Sequence, residues 1–127
     1  MKSASFHYER VGRVTILHVD GYVERDVEQR FERALREAAA GSSNSVLTVS
    51  FLNCSHIDRE CLSTLSRIGK RETTQLHVIA APHTEVRRML ERPERDCTLA
   101  VHDGFRDAFF SIAASPETAK GPVEIHA

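Results

Sequence analysis

The chain has 127 residues, 41% of them apolar and 28% charged, with a formal net charge of −1. That length supports one domain able to bury its own core. The near-neutral charge leaves no global basic field of the kind nucleic-acid binders use, and no apolar run approaches the ~20 residues of a membrane span. The opening MKSASFHYER has no apolar core, so no secretory leader is expected. Cys54, Cys61 and Cys97 form no CxxC pair and cannot all be paired, which implies reduced thiols and a cytoplasmic setting.

Taken in order, Phe6–Arg10 reads as a short edge strand, with Gly12 as a turn. Val14–Val19 is a β-branched strand that Asp20-Gly21 is expected to end. In ERDVEQRFERALREAAAG, Val27, Phe31, Ala34, Leu35 and Ala38 fall at helical spacing, and Gly41 is the expected stop. Ser42 to Ser45 reads as a loop. Val46–Leu52 is a second buried strand, and Asn53–His56 reads as a polar turn. Asp58 then stands before a helix with apolar positions at Leu62, Leu65 and Ile68. Its carboxylate suits the orphan N–H groups of the first turn, and Glu60 suits the dipole there. Gly69, beside Lys70 and Arg71, is the expected end of that helix.

Further on, Leu76–Ala81 is a strand closed by Pro82, and Val86, Met89 and Leu90 mark a short helix that stops before Pro93. Thr98–Val101 is a last strand, and Phe105, Ala108, Phe109 and Ile112 mark a last helix. From Ser115 the chain has two prolines and no period, so residues 1–114 are expected to form the domain and 115–127 a tail. The order β-β-α-β-α-β-α-β-α implies a mixed, mostly parallel sheet of about five strands with about four helices. The first strand lies antiparallel through the tight turn at Gly12.

The central stretch resembles the motif of STAS domains, the family of sulphate transporters and anti-sigma factor antagonists. Its usual form is an apolar residue followed by Asp-Ser-Ser-Gly-Leu; here the chain reads Ile57-Asp58-Arg59-Glu60-Cys61-Leu62. Gly21-Tyr22-Val23-Glu24 sits where many members read Gly-Glu-Leu-Asp. APHTEVRRMLER resembles the segment after the fourth strand, and VHDGFRDAFFSI the closing strand and helix. The resemblance spans roughly residues 6 to 113 and implies a non-enzymatic STAS-like domain that binds a regulatory partner, an anti-sigma kinase or a scaffold. It places partner binding at Gly21, Glu24, Asp58, Arg59, Glu60 and Ser63. The family's phospho-acceptor lies in the Ser pair, and Arg59 and Glu60 replace it, so the usual phosphorylation switch is not expected. Self-association into a homodimer is left open. No cofactor is implied. A nucleotide, lipid or anion held at the same helix N-terminus, or an adapter role in a transport or signalling complex, is the alternative.

Other chemistry reads more plainly. The seven histidines lack helical ligand spacing, and although His18, His77 and His102 could meet across strands, half-exposed sheet histidines are the simpler account. Cys61 after a turn, with His56 before it, could form a nucleophile and base, but no catalytic signature accompanies them, and a small buried filler fits better. Ser63 and Thr64 lie too far into the helix to replace the missing acceptor. Arg87, Arg88, Arg92 and Arg95, interleaved with acids, read as a solvated mixed-charge face.

Overall fold

The computed structural model describes residues 3–40, 46–72, 76–91 and 99–114. Strand β1 (Ala4–Val11) turns through Gly12, at φ +62°, into β2 (Val14–Val23). A 3-10 turn, Arg25–Val27, leads into α1 (Glu28–Ala40). Then follow β3 (Val46–Ile57), α2 (Arg59–Glu72), β4 (Leu76–Ile79), α3 (Glu85–Leu90), β5 (Leu99–His102) and α4 (Phe105–Ala114). The sheet runs β1-β2-β3-β4-β5, with β1 antiparallel to β2 and every other pair parallel, as the alternation of elements predicts.

Strand alternation sorts the side chains onto two unequal faces. On one face, Leu17, Val19, Leu47, Val49, Phe51, Leu76 and Val78 join Phe31 and Leu35 of α1, Leu65 and Ile68 of α2, and Leu90 of α3 in a single apolar cluster. On the other, Ile16 and Ile79 are buried apart from that cluster, as are Ala108 and Ile112 of α4, which packs on β4 and β5. The second face is the polar one, carrying Thr48, Ser50, His18, His77 and His102. The Oγ1 atoms of Thr15 and Thr48 are buried without a hydrogen-bond partner among the described residues.

Three expected stops do not stop the chain. Asp20-Gly21 does not end β2, and Asn53–His56 is not a turn: both stretches remain strand. They pair with each other (Asp20 with Asn53, Gly21 with Cys54, Tyr22 with His56, Val23 with Ile57) through two irregularities of register. Polar residues that read as a break in isolation are held extended by the neighbouring strand. Gly69 does not end α2, which continues to Glu72. A glycine inside a helix costs about 1 kcal/mol, which the buried Leu62, Leu65 and Ile68 of this helix outweigh. Strand β4 stops at Ile79, two residues before the expected end. The expected stops at Gly41 and Pro93, the loop Ser42–Ser45, Thr98 and the tail lie outside the described residues.

Candidate functional site

The parallel pairing of β2 and β3 brings the ends of both strands to one edge of the sheet, so the segment after β2 meets the start of α2. Gly21 sits at φ +92°, and a Cβ placed there would lie 2.1 Å from the backbone oxygen of Ser3. Only glycine allows that approach. The neighbouring Tyr22 N–H donates to the same Ser3 oxygen at 2.8 Å. Glu24 caps the 3-10 turn, and its carbonyl accepts from the Val27 N–H at 2.9 Å.

Asp58 is the helix cap that the sequence predicts. Its Oδ1 accepts from the Cys61 N–H at 3.1 Å, and its carbonyl accepts from the Leu62 N–H at 3.0 Å. Its own N–H donates to the Val23 carbonyl at 3.1 Å, which fixes the helix start to the end of β2. A second tie comes from Cys61, whose thiol donates to the Glu24 carbonyl at 3.6 Å. Arg59, Glu60 and Ser63 are exposed. Residues three and four apart share a helix face, so these three form one patch beside Glu24. Of the six residues singled out in the sequence, four thus form the exposed or half-exposed surface and two, Gly21 and Asp58, hold its backbone in place.

Thr64 is absent from this surface. It is buried, and its hydroxyl contacts the Glu28 carboxylate at 2.5 Å and the Glu60 carbonyl at 3.2 Å, latching α2 to the start of α1. A second, exposed link between these helices runs from Arg67 to Glu32 at 3.3 Å, and Arg36 bonds Glu32 from the next turn. Together the two arginines hold the Glu32 carboxyl below its ordinary value.

The pairing of Cys61 with His56 does not form. Cys61 is fully buried, and burial together with the Asp58 carboxylate pushes its thiol far above the ordinary range. The helix N-terminus would favour a thiolate, but desolvation and the adjacent acids outweigh it. His56 turns instead to Glu85 of α3, 3.5 Å away. Cys54 donates to the His56 carbonyl, and burial raises its thiol to about 11. Cys54 and Cys61 are both free thiols.

Two of the three sheet histidines do meet. The Nδ1 of His77 and the Nε2 of His102 are 3.0 Å apart, with the rings stacked. His18 joins β1 instead, stacking on His7 at 4.8 Å and bonding Glu9 at 2.6 Å. Among the described residues, no three His, Cys, Asp or Glu side chains are grouped to hold a metal ion. Burial holds the His102 imidazole below its ordinary pKa; Asp107 and Asp103 oppose this, and Arg87 adds to it. A folded pKa below the unfolded ~6.5 means the unfolded chain takes up the proton first as pH falls. Stability at this group is therefore complete above about 6.5 and declines as the pH drops through that value. His102→Gln is expected to lose part of the fall in melting temperature that wild type shows between about pH 7 and 5. Parallel pH–melting curves for the two proteins would refute this.

Sequence reading missed Arg87. It is not a solvated charge: its side chain is 17% exposed, and it bonds the Ala80 carbonyl at 2.8 Å, Asp103 at 2.7 Å and Glu91 at 2.9 Å. Glu91 lies one helical turn on, but Ala80 and Asp103 come from other parts of the chain, where helical spacing gives no hint of them.

The architecture has close counterparts among solved structures. An anti-sigma factor antagonist from Mycobacterium paratuberculosis superposes with a TM-score of 0.73 at 19% identity, over 86% of this chain and 93% of that one. The fold is STAS-like. The anti-sigma factor antagonist SpoIIAA, in its unphosphorylated form, matches this STAS-like chain at TM-score 0.60 and 12% identity, over 87% of this chain and all of that one. An uncharacterised protein from Shewanella loihica with a SpoIIAA-like fold matches at 0.55 and 13%, over 87% and 94%. No protein family matches the sequence, and no curated protein is similar to it in sequence. Among the described residues, no helix of the STAS-like domain is long and apolar enough to cross a membrane.

Proposed function

We propose that this protein is a non-enzymatic interaction module of the anti-sigma factor antagonist kind. It would work in bacterial transcription regulation in the cytoplasm, binding an anti-sigma kinase or related scaffold through the start of α2 and the Gly21–Glu24 segment. The observation that carries this is the double tie of α2 to that segment, from Asp58 to Val23 and from Cys61 to Glu24. It presets Glu24, Arg59, Glu60 and Ser63 as one surface, so little ordering entropy is lost when a partner docks. The anion reading is weaker at this site. The Asp58 carboxylate already occupies the helix N-terminus, and an incoming anion would face it along with Glu60.

The reversal Arg59→Glu with Glu60→Lys tests the surface. It keeps net charge, and exposed substitutions usually stay within about 0.5 kcal/mol of wild-type stability. Affinity for the partner recovered by pull-down from the source organism is expected to fall more than about tenfold, ~1.4 kcal/mol. A variant that unfolds normally and binds as tightly as wild type would place the interface elsewhere. The surface is also expected to escape phosphorylation, because Arg59 and Glu60 replace the acceptor pair and the Thr64 hydroxyl is buried against Glu28. Mass-spectrometric mapping after incubation with the recovered kinase and ATP checks this; high occupancy at Ser63 would be the contrary result.

A further inference from the structure

The outer edge of β1 is an eight-residue strand beyond which, among the described residues, no further strand lies. Natural edge strands are usually blunted by bulges, prolines or inward charges, because unpaired N–H and C=O groups invite another strand. β1 carries neither a bulge nor a proline: its register with β2 is continuous from Ala4 to Val11. Tyr8 and Val11 are about half exposed on it.

Two hydrogen bonds fix which backbone groups point outward. Tyr22 of β2 donates to the Ser3 carbonyl, so the odd-numbered residues of this strand face β2. Arg30 of α1 donates to the Ala4 carbonyl at 3.2 Å from beyond the ladder, so the even-numbered ones face out. Phe6, Tyr8 and Arg10 therefore present their N–H and C=O groups to the open edge.

We propose that this edge pairs antiparallel with β1 of a second copy, on a two-fold axis at Tyr8. That register satisfies the outward groups reciprocally: Tyr8 bonds Tyr8 of the other copy, and Phe6 bonds Arg10. It also sets His7 of each copy opposite Glu9 of the other, an imidazole facing a carboxylate within hydrogen-bonding reach on the same face. Shifting the axis to Glu9 would set two carboxylates opposite one another, and shifting it to His7 would lose the His7–Glu9 pairing. The inference stands apart from the α2 surface and does not depend on it.

Sedimentation velocity on the full chain over a concentration series tests the proposal. A monomer–dimer equilibrium with a dissociation constant below about 1 mM is expected. Tyr8→Lys puts like charges face to face at the axis and is expected to weaken dimerisation more than about tenfold, while leaving the melting curve of the dilute monomer close to wild type. Mild oxidation of Tyr8→Cys, in a Cys97→Ser background, tests the register without disturbing the fold. Residues facing each other in a hydrogen-bonded pair lie about 5.5 Å apart at Cα, within disulfide reach. A covalent dimer is expected from Tyr8→Cys and not from Ser5→Cys in the same background. A wild-type chain monomeric throughout, a dimer indifferent to Tyr8→Lys, or equal cross-linking at both positions would each overturn the proposal.

Discussion

Replacing Gly21 by alanine is expected to remove roughly 3 kcal/mol or more of stability, a large part of the 5–15 kcal/mol of an ordinary domain. Two costs combine. At φ +92° an L-residue is strained whatever surrounds it, and the added Cβ would fall 2.1 Å from the Ser3 oxygen. That oxygen is backbone, so it cannot rotate out of the way. The start of β1 would have to move, and the Tyr22–Ser3 hydrogen bond would go with it. Gly12→Ala separates the two costs, because Gly12 is also at positive φ but a Cβ there meets nothing within 4 Å. It is expected to lose only about 1–2 kcal/mol. Urea unfolding should show a lower midpoint for Gly21→Ala at unchanged slope. If the two alanine variants lose equal stability, the close approach to Ser3 contributes nothing.

Gly21 also shows where the sequence could be read and where it could not. Every strand and helix was legible from local pattern, because hydrophobic period and β-branched content belong to each segment alone. The ends of β2 and β3 were not. Asp20-Gly21 and Asn53–His56 carry turn chemistry, yet each is kept in strand by the other, 33 residues away at the Asp20–Asn53 pair. Pairing at that distance leaves no local signal. The site divides the same way. The capping role of Asp58 follows from its place before the first apolar turn, whereas the tie from Cys61 to Glu24 depends on how β2 and α2 meet. Cys61 does occupy the small, buried position that the sequence suggests, and its thiol turns out to be a structural donor too.

Arg87→Ala is the second large effect, expected to lose roughly 2–3 kcal/mol. The reason lies in which of its three partners water can replace. Asp103 and Glu91 are 54% and 50% exposed, so on losing the arginine they regain solvent, and exposed pairs of this kind are worth about 0–1 kcal/mol. Ala80 is fully buried at the end of β4, and its carbonyl would be left without the arginine N–H. An unsatisfied buried acceptor costs about 1–3 kcal/mol, more than the gain from the mutual attraction it replaces. Asp103→Ala and Glu91→Ala are therefore expected to lose less than about 1 kcal/mol each, with the small loss reduced further by salt. Arg87→Lys should fall between. One ammonium cannot reproduce the fork in which Nη1 bonds both Ala80 and Asp103 while Nε bonds Glu91. Because the carbonyl is shielded from solvent, the Arg87→Ala loss is expected to persist at high salt. If it shrinks with ionic strength to the size of the Asp103→Ala loss, Arg87 acts only as a surface ion pair.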